Sequence, residues 1–163
     1  VGELMLEKNE ESNTSAETAP PSQKADAPIA GFKEEVIRLI NIERQKNGAA
    51  GLKTMGALDG IADQRAREAS VLFKHTRPDG TRCFTVFAEN SLKYRAAGEN
   101  LAYGYKTPEA LVKAWMNSEG HRRNNLDPDF RYGGIGYHMS DKGTLYCTVL
   151  FYTPKSDAKR KEA

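Results

Sequence analysis

The sequence predicts an α/β domain in which helices are layered on an antiparallel sheet. Three observations predict it: helix-period apolar stripes fill the first half of the body, one extended segment lies in the middle, and two strand-like segments joined by a turn close it. About four helices and three strands result, and no internal repeat is visible.

The first helix opens near Phe32, where Phe32, Val36, Leu39 and Ile40 form one stripe that gives way to charge at Glu43, and Gly48 supplies the stop. A second follows Thr54, a side chain suited to N-capping, and turns Leu58, Ile61, Ala62, Ala66, Ala69, Leu72 and Phe73 to the core as far as His75. It stops before Arg77-Pro78-Asp79-Gly80, because proline disfavours helix in the preceding residue and Pro-Asp-Gly is turn chemistry. A short helical piece over 84–90 leads to an extended segment over 97–103. Thr107, Pro108 and Glu109 serve as N-cap, first helical residue and first-turn acid of the next helix, whose buried face is Leu111, Val112 and Trp115. Ser118 is expected to cap a short helix ending around Leu126. Strands over 134–139 and 144–152 then pair across Ser140-Asp141-Lys142-Gly143.

A chain of 163 residues, 39% hydrophobic, suffices for one core. Residues 1–31 stand apart from it. They carry six acidic residues against two basic ones, with Pro20, Pro21 and Pro28 and only scattered apolar side chains, so they are expected to form a flexible leader. The folded domain is then expected over 32–154, followed by a charged tail over 155–163. The whole chain has a net charge of +2; the leader holds −4, which leaves +6 for the remainder. No basic stripe interleaved with aromatics accompanies that charge, so nucleic acid is not an expected partner. Association with anionic cell-surface polymers or headgroups is compatible with it. No apolar run reaches the roughly 18 residues of a membrane-spanning helix. Cys83 and Cys147 lack metal-ligand spacing; they either form a disulfide closing a long loop, which would suit an oxidising compartment, or pack as small hydrophobes.

The chemistry is concentrated in three islands: His75-Thr-Arg-Pro-Asp-Gly80, Gly98-Glu-Asn-Leu101 and Trp115-Met-Asn-Ser-Glu-Gly-His-Arg-Arg-Asn124. His75, Glu99 and His121 each sit beside an element boundary, where sites gather. His121 falls in a first helical turn, whose dipole disfavours the protonated imidazole. Asn100 and Asn124 suit the pairing of loop backbone, Trp115 suits the core, and His138 lies in a strand outside the islands. Ser118 lacks the Gly-x-Ser-x-Gly elbow of a serine hydrolase.

The order of these islands, followed by Gly134-Ile-Gly136 and an aromatic-bounded last strand, resembles the bacterial branch of the CAP superfamily. That superfamily, also called the SCP domain, takes in cysteine-rich secretory proteins, antigen 5 and pathogenesis-related 1 proteins. The resemblance covers roughly Phe32 to Tyr152. It implies a three-layer α-β-α sandwich with a central, mainly antiparallel sheet, an extracellular or surface-attached location, and a cleft where histidines and acids converge. Carried over, the cleft residues are His75, Glu99 and His121. Ser118 stands where eukaryotic members have a second glutamate, with Glu119 adjacent as a substitute, and Val149 stands where many bacterial relatives have glutamine.

The cleft of some relatives holds a divalent cation. Here His75 and His121 would offer zinc two nitrogens, with water completing a tetrahedron, and Glu99 would set a ring tautomer or hold a metal-bound water as base. Two functions follow. One is a binding module for a small ligand, lipid or peptide, with or without a divalent cation; the other is a metal-dependent hydrolase of peptides or cell-wall material, with Glu99 as its catalytic residue. A third reading makes the domain structural, with a vestigial cleft.

Overall fold

The computed structural model describes residues 3–5 and 30–157. Helix α1 (Phe32–Lys46) forms on the stripe expected of it and buries Phe32, Val36 and Ile40. Helix α2 (Gly56–Val71) buries Leu58, Ile61, Ala62, Ala66 and Ala69. Its ends differ from expectation. The N-cap residue is Met55, without a side-chain cap bond, and Thr54 takes no capping role. The helix stops at Val71, four residues short of His75, because Leu72 turns extended at φ −142° and ψ 106° and carries the chain off the helix axis.

Helix α3 (Thr85–Glu89) follows, then strand β2 (Tyr94–Tyr103), helix α4 (Pro108–Met116), helix α5 (Glu119–Leu126), and strands β3 (Tyr132–Met139) and β4 (Leu145–Pro154). Thr107 caps α4 as expected, its Oγ1 accepting from the Ala110 amide at 3.1 Å. The β3–β4 turn closes with the Ser140 amide on the Thr144 carbonyl at 2.8 Å and the Gly143 amide on the Ser140 carbonyl at 2.9 Å. A strand not anticipated from the sequence, β1 (Glu3–Met5), runs parallel to β2 with Leu4 opposite Gly98. The sheet order is β1-β2-β4-β3, with β4 antiparallel to both of its neighbours. Residues 1–2 and 6–29 of the expected leader, and the tail beyond 157, lie outside the described residues. Among the described residues no helix is long and apolar enough to cross a membrane.

Period-two alternation makes the sheet the middle of three layers. From β4, Leu145, Cys147, Val149 and Phe151 enter one core with Phe32, Val36 and Ile40 of α1 and Leu111, Val112 and Trp115 of α4. Leu150 and Tyr152 enter a second core with Leu58, Ile61 and Ala62 of α2 and Val86 and Phe87 of α3. The cysteines are thereby separated: Cys147 belongs to the first core and Cys83 to the second, and both thiols are free and buried. Burial pushes both thiols above their ordinary range.

Helix α2 does more than cover the sheet. Its Asp59 and Asp63 accept the amides of Ile135 and Tyr137, each at 2.9 Å, so the outer edge of β3 is capped by carboxylates. Those bonds demand backbone-to-backbone approach, and Gly136 permits it: a Cβ there would collide with the Ala62 carbonyl group and the Asp63 nitrogen. On the opposite face, fully buried Arg44 donates to the carbonyls of Ala50, Asn125, Asp127 and Phe130, and so ties α1 to the end of α5.

Gly136→Ala should lower unfolding free energy by about 1–3 kcal/mol or more, since neither backbone can retreat without losing the edge bonds. Gly60→Ala on the same helix meets open space, so it should leave stability unchanged or raise it by roughly 0.5–1 kcal/mol. Urea unfolding of the two variants checks the contrast. A thiol reagent should find no reactive cysteine in the native protein and two after denaturation without reductant.

Candidate functional site

Strand parity decides what Glu99 meets. Glu99 lies opposite Leu150 and Asn100 opposite Val149, so these neighbours in sequence point to different cores. Glu99 faces α2, is fully buried, and is held from two directions. Arg65 of α2 donates through Nε to Oε2 at 2.6 Å and through Nη2 to Oε1 at 3.0 Å. His75 approaches Oε1 through Nδ1 at 2.7 Å.

The arginine is anchored in turn. Its Nη1 donates to Glu68 Oε1 at 2.8 Å and its Nη2 to the Lys74 carbonyl at 3.0 Å. Glu68 also receives Arg77, Nε to Oε1 at 3.0 Å and Nη2 to Oε2 at 2.8 Å, and Arg77 reaches Thr85 and Glu89 of α3. His75 and Arg77, two residues apart in the first island, therefore grip the two ends of one hydrogen-bonded chain, His75, Glu99, Arg65, Glu68, Arg77.

The electrostatics follow from that chain. Burial raises the Glu99 pKa, and this is outweighed by the Arg65 charge and by hydrogen bonds from His75 and Arg65, so the carboxyl sits below its usual range. Glu68 is lowered likewise: burial opposes, while the hydrogen bonds from Arg77 and Arg65 prevail. Because Glu99 is ionised, it accepts the proton on His75 Nδ1, which leaves Nε2 as the ring nitrogen turned away from the carboxylate. In the neutral imidazole that nitrogen can accept from a hydrogen-bond donor or ligate a cation.

The other histidine is positioned from the opposite face. Asn100 Nδ2 donates to the His121 carbonyl and to Asn125 Oδ1, both at 3.1 Å, and Asn124 Nδ2 donates to Asn100 Oδ1 at 3.0 Å. These amides fasten the first turn of α5 to β2, the role expected of Asn100 and Asn124. Ser118 occupies the N-cap position of α5 without a side-chain cap bond; its hydroxyl pairs instead with His121 Nδ1 at 2.8 Å. His121 is 2% exposed, whereas Glu119 is exposed beside Arg122 and Arg123 on the outer face of α5. Trp115 is core, with Nε1 on the Leu101 carbonyl at 3.3 Å.

Ligand atoms of His75, Cys83 and Glu99 all lie within 4.8 Å of one another, a grouping that could hold a metal ion. His121 is not one of its members. Sequence reasoning placed neither Arg65 nor Cys83 at the site. Arg65 carried a readable signal: it stands in phase with Leu58, Ile61, Ala62 and Ala69 on the apolar stripe of α2, and a buried arginine requires a buried acid. Cys83, one isolated thiol, carried none.

The sequence model of the cysteine-rich secretory protein (CAP) family matches residues 37–151, a span that holds every island. The chain belongs to this family. YkwD, an uncharacterized protein of Bacillus subtilis strain 168, is 38% identical over 124 residues, which cover 75% of this chain and 48% of YkwD. Among solved structures, an extracellular SCP-domain protein of Bacillus anthracis superposes with a TM-score of 0.66 at 24% identity, covering 78% of this chain and 45% of that one. An outer surface protein of Borrelia burgdorferi superposes with a TM-score of 0.69 at 22% identity, covering 80% of this chain and all of that one. The chain thus spans about half the length of YkwD and of the Bacillus anthracis protein. These structural likenesses establish the α-β-α CAP fold, and the solved neighbours named are extracellular or outer-surface proteins.

The depressed carboxyls fix the sign of the acid response. A group whose folded pKa lies below its unfolded value, about 4.3 for glutamate, contributes stability above that value and loses it as pH falls through the folded one. Denaturation should therefore become easier below about pH 4. Glu99→Gln, which leaves Arg65 buried without its counter-charge, should cost about 3–5 kcal/mol at pH 7 and flatten the acid limb. Urea unfolding of both proteins between pH 7 and pH 2 measures both effects.

Proposed function

We propose that this CAP domain is a secreted or surface-attached binding module that holds a small molecule, lipid or peptide at its two histidines without hydrolysing it. One observation carries the reading: both oxygens of Glu99 are engaged, by Arg65 and by His75. A general base must come within about 2.6–3.2 Å of the proton it removes, with a pKa near the working pH. Both Glu99 oxygens are already taken by Arg65 and His75, and its pKa is shifted the other way. It acts as an orienting group, one that fixes the His75 tautomer.

On this reading the receptive atom is His75 Nε2, and the ligand presents an N–H or O–H to it. A divalent cation would be held by the two imidazoles, with the remaining positions left to water; two protein ligands make such a site weak and exchangeable. The extracellular and outer-surface character of the solved neighbours supports the location. The hydrolase reading would need Glu99 released from Arg65.

The test pairs turnover with binding. The protein, with and without zinc, is incubated with a peptide library; no cleavage is expected, while binders recovered from the library should lose at least tenfold in affinity in His75→Ala and in His121→Ala. Cleavage that disappears in a folded Glu99→Gln variant would transfer the site to the hydrolase reading. Affinity unchanged in both histidine variants would remove the histidines from the binding site.

A further inference from the structure

The group of His75, Cys83 and Glu99 has the residue types of a metal site but not their chemistry. Both carboxylate oxygens already carry strong donors. The Glu99 carboxylate is also already paired with Arg65, so a divalent ion would enter beside a fixed guanidinium.

We propose that Arg65 is the resident cation of this site: its guanidinium does for Glu99 what a metal ion would do, and closes the group of His75, Cys83 and Glu99 to metal. The guanidinium is not a mobile gate. Its three nitrogens are tied to Glu99, Glu68 and the Lys74 carbonyl, and it emerges from a helix whose backbone is locked against β3. A planar fork suits this place better than a point charge, because it reaches Glu99 through two bonds while a third nitrogen reaches Glu68. Arg65 is therefore a positioning residue: it keeps Glu99 ionised and turned toward His75 Nδ1, and it leaves Cys83 without a partner metal.

Cobalt(II) reads this directly, because ligation by a cysteine thiolate gives an intense near-ultraviolet charge-transfer band that nitrogen and oxygen ligands do not. The full chain should show no such band, and neither should Arg65→Lys, which retains the positive charge. Arg65→Met, and independently Arg65→Gln, should gain a one-to-one band at cobalt concentrations at least tenfold below any response of the wild type, and adding Cys83→Ala should abolish it. A thiolate band in the wild type would overturn the proposal by itself, whatever the variants do. A folded Arg65→Met or Arg65→Gln that stays silent would overturn it equally. A cation held only by His75 and His121 would give cobalt absorption without the thiolate band, so failure of the binding reading is distinguishable from failure of this one.

Discussion

Burying Glu99 in the middle of β2 is the constraint around which the second core is arranged. An ionised carboxylate removed from water costs several kcal/mol after relaxation, and the cost is tolerable only where charge and hydrogen bonds replace the lost hydration. Arg65 supplies both, but a buried arginine incurs the same cost, so Glu68 is needed, and Glu68 at the rim recruits Arg77. The chain then runs outward until Arg77 meets the half-exposed Glu89. The chain of charges is a graded exit from the interior. It explains why His75 and Arg77 belong to one island: the short step between them lets one residue bind the innermost acid and the other the outermost.

Such a chain works only if α2 sits at a fixed height over the sheet, and packing determines that height. The absence of a side chain at Gly136 lets the helix backbone approach β3, and the carboxylates of Asp59 and Asp63 then register it against the strand edge. Arg65 lies two residues beyond Asp63 on the same helix, so the bond that fixes α2 to β3 also fixes the guanidinium over β2. Stability and site geometry are one mechanical problem here.

Much of this was legible in the sequence. Helix α1, the capped start of α4, the β3–β4 turn and the joining role of Asn100 and Asn124 follow from periodicity and local side-chain chemistry, and they appear where those rules place them. What escaped was set by distant partners. The apolar phase of α2 continues through Leu72 and Phe73, yet the chain leaves the helix at Leu72 so that His75 can turn back onto Glu99; tertiary hydrogen bonding overrides the stripe. The Ser118 hydroxyl is drawn from its own helix end to His121, a competition that propensity cannot weigh. The two cysteines were left open by spacing and are decided by strand parity, which puts the sheet between them.

Parity also explains the shortest island. In Gly98-Glu99-Asn100, Gly98 and Asn100 face the first core and Glu99 the second. A Cβ at Gly98 would lie 2.9 Å from the Phe130 ring, which stacks on Phe151 at 5.0 Å, so the strand sits low enough there for α5 to reach it. Asn100 then holds the first turn of α5, and with it His121, while Glu99 holds the segment bearing His75 on the other side. Three consecutive backbone positions thus set both histidine segments against a single rigid strand. The two histidine segments are thereby fastened to neighbouring positions of β2 from its opposite faces.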